Sequence, residues 1–256
     1  MLRNGIWKGA LIAAFILVSG GVGFAQTAGQ IPIPTIDFNL RPAQSPQEVA
    51  TALQVLFLIT IISLAPTLLI LLTSFVRIYI VLSFVSRGLA TQTIPPNQVI
   101  VGLALFISLF TMYPVFSKSY DLGIKPYLDG KITLDEGFAK GVEPIREFMF
   151  HVTAPKYIFR FVQLAGIERP ATPAEVPTHV LIPAFILNEL TIAFYMGMLL
   201  LIPFTVIDIV VASTLMSMGM MMLPPIMISF PLKILLFVLV DGWNLLVEKL
   251  VLSFRL

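Results

Sequence analysis

Long uncharged apolar stretches flank one charged segment along this chain. Residues 49–76 carry no charged side chain, and residues 88–117 again carry none. As a helix the first stretch would extend about 42 Å, beyond the roughly 30 Å hydrocarbon core of a bilayer. Pro66 lies inside it, and we expect a kink or break there because proline removes a backbone donor. The pattern predicts two membrane-length segments that form a first hydrophobic hairpin over residues 48–116.

Charged side chains concentrate in the middle of the chain. Residues 117–179 hold 8 acidic and 8 basic side chains among 63 residues. Glu143 and Glu147 are four positions apart with Arg146 beside them, which is typical of an exposed helical face. The proline-rich residues 166–177 predict a loop. We therefore expect a polar, helical segment that faces water.

The chain becomes hydrophobic again over residues 180–256, and prolines recur along it. We expect them to divide this half into helix-length pieces that form a second hairpin, at Pro183, Pro203, Pro224, Pro225 and Pro231. The fold class predicted from the whole pattern is an all-α integral membrane protein built from proline-bent helical hairpins.

The first residues resemble a secretion signal. Arg3 and Lys8 precede an apolar stretch, and the small residues Gly23 and Ala25 follow it. We predict a cleavable signal peptide over residues 1–25, with cleavage after Ala25. The apolar stretch is too short to span a membrane, which disfavours an uncleaved anchor. Residues 26–47, rich in proline and polar side chains, predict an extended arm.

The basic residues also predict an orientation. Arg77 and Arg87 flank the turn of the first hairpin, and no acidic residue is near them in sequence. Basic residues favour the cytoplasmic side of a membrane. We therefore expect that turn to be cytoplasmic and residues 117–179 to be periplasmic, in a multi-pass protein of the bacterial inner membrane.

Composition excludes several classes of function. Hydrophobic residues make up 57% of the chain and charged ones 12%, against about 25% charge in an average soluble domain. The formal charge of +2 gives no basic excess for nucleic acid. There is no Cys, and His151 and His179 are the only imidazoles. We therefore expect no metal, no cofactor and no catalytic residues, hence no enzyme.

Two acidic residues lie in otherwise apolar sequence. A charge in hydrocarbon costs at least about 2.5 to 3.5 kcal/mol, so Glu189 and Asp208 should face protein, water or a counter-charge. We favour ion pairs, with Lys233 or with a basic residue of a partner. The alternative is a proton relay, which would make the protein a stand-alone proton-coupled transporter that uses Glu189 and Asp208.

Methionine is concentrated in the second hydrophobic half. Eight of the 11 methionines lie between Met196 and Met227, and Met220, Met221 and Met222 are consecutive. Neighbouring helical residues point about 100° apart, so all three cannot face one core. Gly219 and the following Pro224 and Pro225 favour a loop. Flexible thioethers suit a deformable seal around an axis, but their spacing is equally compatible with core filling.

Several long motifs resemble the FliP family of flagellar type III export-gate proteins. The motifs are PAFILNEL at residues 183–190 with AFYMG at 193–197, IPF at 202–204 through Asp208 and VAS at 211–213, MSMGMMMLPP at 216–225, PLK at 231–233, LFVLVDGW at 236–243, and, in the first half, TSFVRI at 73–78 and PPNQV at 95–99. At position 188 this chain has Asn where the family usually has a small hydroxyl residue.

The resemblance implies a structural role without catalysis. Family members assemble as a pentamer with FliQ and FliR in the flagellar basal body, alongside FlhB, FlhA and the assembly factor FliO, and unfolded flagellar subunits pass through the gate. Met220, Met221 and Met222 match the family's pore gasket, and Ala25 would end the signal peptide that distinguishes the flagellar branch from injectisome relatives. Glu189, Lys233 and Asp208 match charged positions of subunit contacts, and we expect an inter-subunit pair of Glu189 with Lys233.

Overall fold

The computed structural model describes residues 46–89, 95–220 and 222–254, and within them every regular element is helical. The predicted all-α fold class is confirmed. In chain order the α-helices are α1 (Pro46–Leu71), α2 (Phe75–Gly88), α3 (Asn97–Ser119), α4 (Lys125–Leu128), α5 (Leu134–Val152), α6 (Pro155–Leu164), α7 (Thr178–Ser217), α8 (Ile226–Leu239) and α9 (Gly242–Leu252). A π-helical turn, Tyr120–Ile124, joins α3 to α4.

The chain divides into two units, residues 1–52 and residues 53–256. Of the first unit, the described residues are 46–52, at the start of α1. The predicted signal peptide with Ala25, the arm up to residue 45, and Met221 lie outside the described residues. The signal peptide and the arm therefore stay predictions.

Three helical stretches are long and apolar enough to cross a membrane. They are Val49–Leu68, Asn97–Leu128 and Thr178–Ser217. Helices α8 and α9 together would provide a fourth span, but they meet at a bend of 62°. The second stretch runs through the π-helical turn, so the expected start of the polar segment at residue 117 falls inside a continuous helix.

The expected break at Pro66 is displaced towards the C-terminus. Helix α1 contains Pro66 and ends at Leu71. The Thr73 hydroxyl donates to the carbonyl of Ile70 at 2.9 Å and accepts from the amide of Phe75 at 3.3 Å. Because this side chain satisfies the backbone groups that a helix end leaves unpaired, the chain can turn here rather than at the proline.

Helices α2 and α3 form an antiparallel hairpin. The hydroxyls of Ser74 and Ser108 are 3.0 Å apart, and Tyr79, farther along α2, donates to Asn97 at the start of α3 at 3.5 Å. Ile78, Val81, Leu82 and Val85 are buried along one face of α2. This face belongs to the same core as the first half of α7.

Three of the five prolines expected to divide the second half do not divide it. Helix α7 runs for 40 residues through Pro183 and Pro203, and α8 runs through Pro231. An internal proline forfeits one hydrogen bond, whereas ending a helix in apolar surroundings exposes several backbone groups, so continuation costs less. Helices end instead between Ser217 and Ile226, where Pro224 and Pro225 lie as expected, and at Asp241, which has a positive φ of 50°.

The polar segment is helical, as the sequence predicts. Thr133 and Glu136 form a capping box at the start of α5. The loop before α7 is held by Glu175, whose carboxylate accepts from the amide of Ala171 at 2.8 Å and from the hydroxyl of Thr172 at 3.0 Å. These hydrogen bonds hold the pKa of Glu175 below its ordinary value.

Gly197 allows α7 to approach α2 closely, and we predict that Gly197→Ala destabilises this contact. A Cβ at Gly197 would lie 2.5 Å from the Cγ and 3.0 Å from the Cβ of Phe84, atoms near the backbone that cannot swing away. We expect a loss of about 1–3 kcal/mol in the free energy of unfolding, measured by denaturant titration in detergent.

Gly102→Ala is the matched control, because a Cβ there meets nothing within 4 Å. It should be neutral, or stabilising by up to about 1 kcal/mol through helix propensity. Equal effects of the two substitutions would contradict the close-packing explanation.

Candidate functional site

A buried ion pair joins α2 to the first half of α7. Glu189 is 0% exposed and Arg77 is 2% exposed. The guanidinium donates from Nε to Glu189 Oε2 at 2.8 Å and from a second nitrogen, Nη2, to Oε1. This is a bidentate ion pair, in which two N–H groups of the planar guanidinium each bond one oxygen of the carboxylate.

The remaining donors of Arg77 are satisfied by the C-terminal end of the chain. Nη1 donates to the carbonyl and to the hydroxyl of Ser253, each at 3.1 Å. The guanidinium carbon lies 3.9 Å from the ring centroid of Phe254, and an arginine over an aromatic face is favourable when both are desolvated. Arg77 therefore fixes the end of the chain against α2 as well as pairing with α7.

Asn188 connects the same ion pair to the polar segment. Its amide nitrogen donates to the carbonyl of Val152 at 2.9 Å and to Glu189 Oε1 at 3.2 Å, and its amide oxygen accepts from the backbone N–H of Ala154 at 3.1 Å. These two backbone groups flank the turn between α5 and α6. One amide side chain thus ties α5 and α6 to the buried charge, because an amide carries both a donor and an acceptor.

A second ion pair lies farther along α7. Lys233 of α8 donates to Asp208 Oδ2 at 2.6 Å. The lysine side chain is 3% exposed, whereas that of Asp208 is 46% exposed. Phe204 of α7 and Phe237 of α8 also contact each other, with ring centroids 6.3 Å apart. The pair and the rings hold α8 against the second half of α7.

The pairing differs from the one expected between subunits. The structure pairs Glu189 with Arg77 and Lys233 with Asp208 within one chain. The pair of Asp208 with Lys233 is among those that the sequence predicts, whereas the pair of Glu189 with Arg77 is not. Because Glu189 and Lys233 are both buried, neither can reach a neighbouring subunit in this conformation. A direct Glu189–Lys233 contact between subunits therefore does not fit this conformation. A subunit contact at the half-exposed Asp208 stays a prediction.

Arg77 no longer supports the predicted membrane orientation, in which the turn of the first hairpin is cytoplasmic. The positive-inside rule counts basic residues in loops near the membrane, but Arg77 is buried inside α2 and bonded to an acid. Arg87, in the last turn of α2, is exposed. The predicted cytoplasmic turn therefore rests on Arg87 alone.

The methionine segment leaves the helix, as the sequence predicts. Helix α7 ends at Ser217, and Gly219 has a φ of 75°. Met220 and Met222 lie in the irregular stretch before α8, and both are exposed. Within the described residues their exposure favours the seal over core filling.

Sequence reasoning missed the role of three residues, namely Arg77, Asn188 and Ser253. One signal was available: Arg77 and Glu189 are opposite charges, each isolated in apolar sequence, and such charges pair in a protein interior. The hydrogen bonds of Asn188 had no such signal, because two of its three partners are backbone groups. Those of Ser253 had none either, because it accepts from Arg77 partly through its own backbone carbonyl.

Among the described residues there is no cluster of three His, Asp or Glu side chains that could hold a metal ion. The side chains that the fold does bring together are charge pairs and a methionine loop, an arrangement suited to holding helices in place.

Comparison with known proteins assigns the family. The sequence model of the FliP family matches residues 58–250. The chain belongs to the FliP family. It is 48% identical to the flagellar biosynthetic protein FliP of Treponema pallidum over 236 residues, 91% of this chain and 86% of the relative. It is 50% identical to the protein of the same name from Bacillus subtilis, over 84% of this chain and 98% of the relative.

We predict that Arg77→Met strongly destabilises this FliP-family protein, whereas Arg77→Met combined with Glu189→Leu largely restores its stability. The single variant leaves the Glu189 carboxylate buried without a counter-charge, at a cost of about 3–5 kcal/mol, while apolar side chains of similar volume can replace both charges. A double-mutant cycle on the free energy of unfolding in detergent measures the coupling.

Lys249→Met is the control, since Lys249 pairs with Glu248 on the surface, where both are more than half exposed. Its effect should be below about 1 kcal/mol. A double variant no more stable than Arg77→Met alone would show that the packing around the pair, and not its charge balance, determines stability.

Proposed function

We propose that this chain is a structural, pore-forming subunit of the flagellar type III protein export gate and conducts unfolded flagellar proteins across the bacterial inner membrane. The observation that carries the proposal is the match to relatives named flagellar biosynthetic protein FliP over 84–91% of the chain. The membrane-length helices agree with a place in the membrane.

The apolar surface of the single chain supports assembly with other subunits. Side chains of α1, of the second half of α7 and of α8 are exposed on large areas, for example Phe57, Ile209 and Leu235 at 68%, 60% and 56%. Exposed apolar surface of this extent marks contact with lipid or with other proteins. In our proposal it is covered by further copies of this chain in a pentamer, by FliQ and FliR, and by lipid, with FlhB, FlhA and FliO as further partners.

The methionine loop is the proposed seal of the pore. Met220, Met221 and Met222 from several copies would meet at the central axis, where flexible thioethers close an apolar constriction to water and ions. Such constrictions gate by excluding water, and methionine adapts to a changing outline. A passing chain would displace them without breaking fixed contacts.

The stand-alone transporter has no observation in its favour. A proton relay needs carboxylates that can exchange protons, but both carboxylates of α7 have basic partners in this chain, Glu189 with Arg77 and Asp208 with Lys233. Their place between helices suits a role in holding the subunit together.

The oligomeric state of the purified protein distinguishes an export-gate subunit from a stand-alone transporter. We expect the chain, co-expressed with its FliQ and FliR partners and purified in mild detergent, to appear as a multi-copy ring by negative-stain imaging. Mass determination should give about five copies for each complex. A stable monomer with transport activity in liposomes would contradict the export-gate proposal.

The seal itself is tested by permeability. We predict that replacing Met220, Met221 and Met222 together by Gly or Ala raises the leak of small solutes from liposomes that contain the purified complex, because the smaller side chains no longer fill the constriction. Met198→Ala, on the exposed face of α7, is the control and should leave the leak unchanged. Unchanged permeability of the triple variant would contradict the seal and favour the alternative, in which the methionines only fill space in a core.

A further inference from the structure

The corner between α8 and α9 is unfavourable for the local backbone. Among the described residues, Asp241 is the only residue other than glycine with a positive φ, and this left-handed conformation is disfavoured because the Cβ crowds the following carbonyl. The Asp241 side chain makes no hydrogen bond that caps α9, so it does not supply the acceptor that an N-cap gives to the first amides of a helix. Such a corner persists only where the surrounding structure holds it.

The same residues can form one straight helix. Helix α8 ends at Leu239 and α9 begins at Gly242. Separately the two helices are about 21 Å and 16 Å long, too short for a hydrocarbon core of about 30 Å, whereas residues 226–252 as one helix would extend about 40 Å. The pair together is apolar enough to cross a membrane. In the straight form the first amides of α9 would bond to carbonyls of α8, and Asp241 would leave the left-handed region.

Aromatic packing at the corner belongs to the bent form. A Cβ at Gly242 would lie 2.4 Å from the Phe237 ring, so the ring rests directly on the backbone of α9. The same ring meets Trp243 edge to face, with centroids 5.2 Å apart. Neighbours on one face of a straight helix are three or four positions apart, so Phe237 and Trp243, six positions apart, meet only because the chain bends.

The polar contacts that hold the bend lie beyond the far end of α9. Arg77 donates to the carbonyl and the hydroxyl of Ser253 and lies over the ring of Phe254. The Phe254 ring also stacks on Phe148 of α5, with centroids 6.3 Å apart. The burial of Leu250 counts for less in a membrane, because lipid tails are as apolar as the side chains that they replace. The bonds to Ser253 have no such replacement, since hydrocarbon offers Arg77 no acceptor.

We infer that α8 and α9 are a bistable pair, bent while Ser253 and Phe254 are bound to Arg77 and one straight span when they are not. Ser253 and Phe254 are thus a latch: the local backbone favours the straight form, and the latch favours the bent form. A chain newly inserted in the membrane would hold residues 226–252 as a single span, and binding of the latch to α2 would bend that span at Asp241.

The bend is tested as a distance within one chain. The natural sequence has no Cys, so cysteines introduced at the exposed positions Met227 and Lys249 would carry the only two spin labels in the full chain, reconstituted as single copies in lipid nanodiscs. We expect Ser253→Ala with Phe254→Ala to lengthen the mean distance by about 5 Å in pulsed electron spin resonance, the difference between a 62° bend and a straight helix. An unchanged distance would overturn the proposal.

The control is Phe138→Ala, which removes an aromatic ring that is 73% exposed on α5 and should leave the distance unchanged.

Fraying of α9 could also lengthen the distance, and two further measurements distinguish fraying from straightening. Circular dichroism of the variant with Ser253→Ala and Phe254→Ala should show no loss of helix. Adding Asp241→Gly to this variant should shorten the distance again, because glycine adopts a positive φ without strain and disfavours a continuous helix, whereas Asp241→Ala should keep the distance long. A loss of helix, or equal distances with Gly and Ala at position 241, would contradict the latch.

Discussion

The buried ion pair between Arg77 and Glu189 constrains the whole arrangement of helices. A carboxylate in the middle of an apolar 40-residue helix is tolerated only with a counter-charge and hydrogen bonds that replace water. Arg77 supplies both, and its remaining donors bind the end of the chain at Ser253. Helices α2 and α7 and the C-terminus must therefore come together for any of them to be stable in this position.

Asn188 extends this constraint to the polar segment. It is adjacent to Glu189 on α7 and bonds both backbone groups at the turn between α5 and α6. Helices α5 and α6 are thus attached to α7 beside the buried ion pair and not only through the chain connections. In the proposed export gate, this attachment would hold the polar segment in a fixed position relative to α2 and α7.

The two halves of α7 differ in how firmly they are held. The first half is buried against α2 and against α5 and α6 of the polar segment, and it carries Glu189. The second half exposes much of its apolar surface, is held to α8 by Asp208 and Lys233, and leads into the methionine loop. In the proposed gate, the first half would hold the subunit together, and the exposed second half would contact other subunits next to the methionine loop.

The sequence by itself determined the helical membrane class, the polar middle segment and the methionine loop, because hydrophobic pattern, charge density and the Gly and Pro positions act locally. Except at Pro224 and Pro225, it did not determine where helices end: Pro66, Pro183, Pro203 and Pro231 lie inside helices, and other breaks fall at Thr73 and Asp241. Nor did it pair Glu189 with Arg77, 112 positions away. Only the tertiary structure decided these helix ends and this ion pair. The partner of a buried charge and the cost of ending a helix both depend on what surrounds the chain in three dimensions.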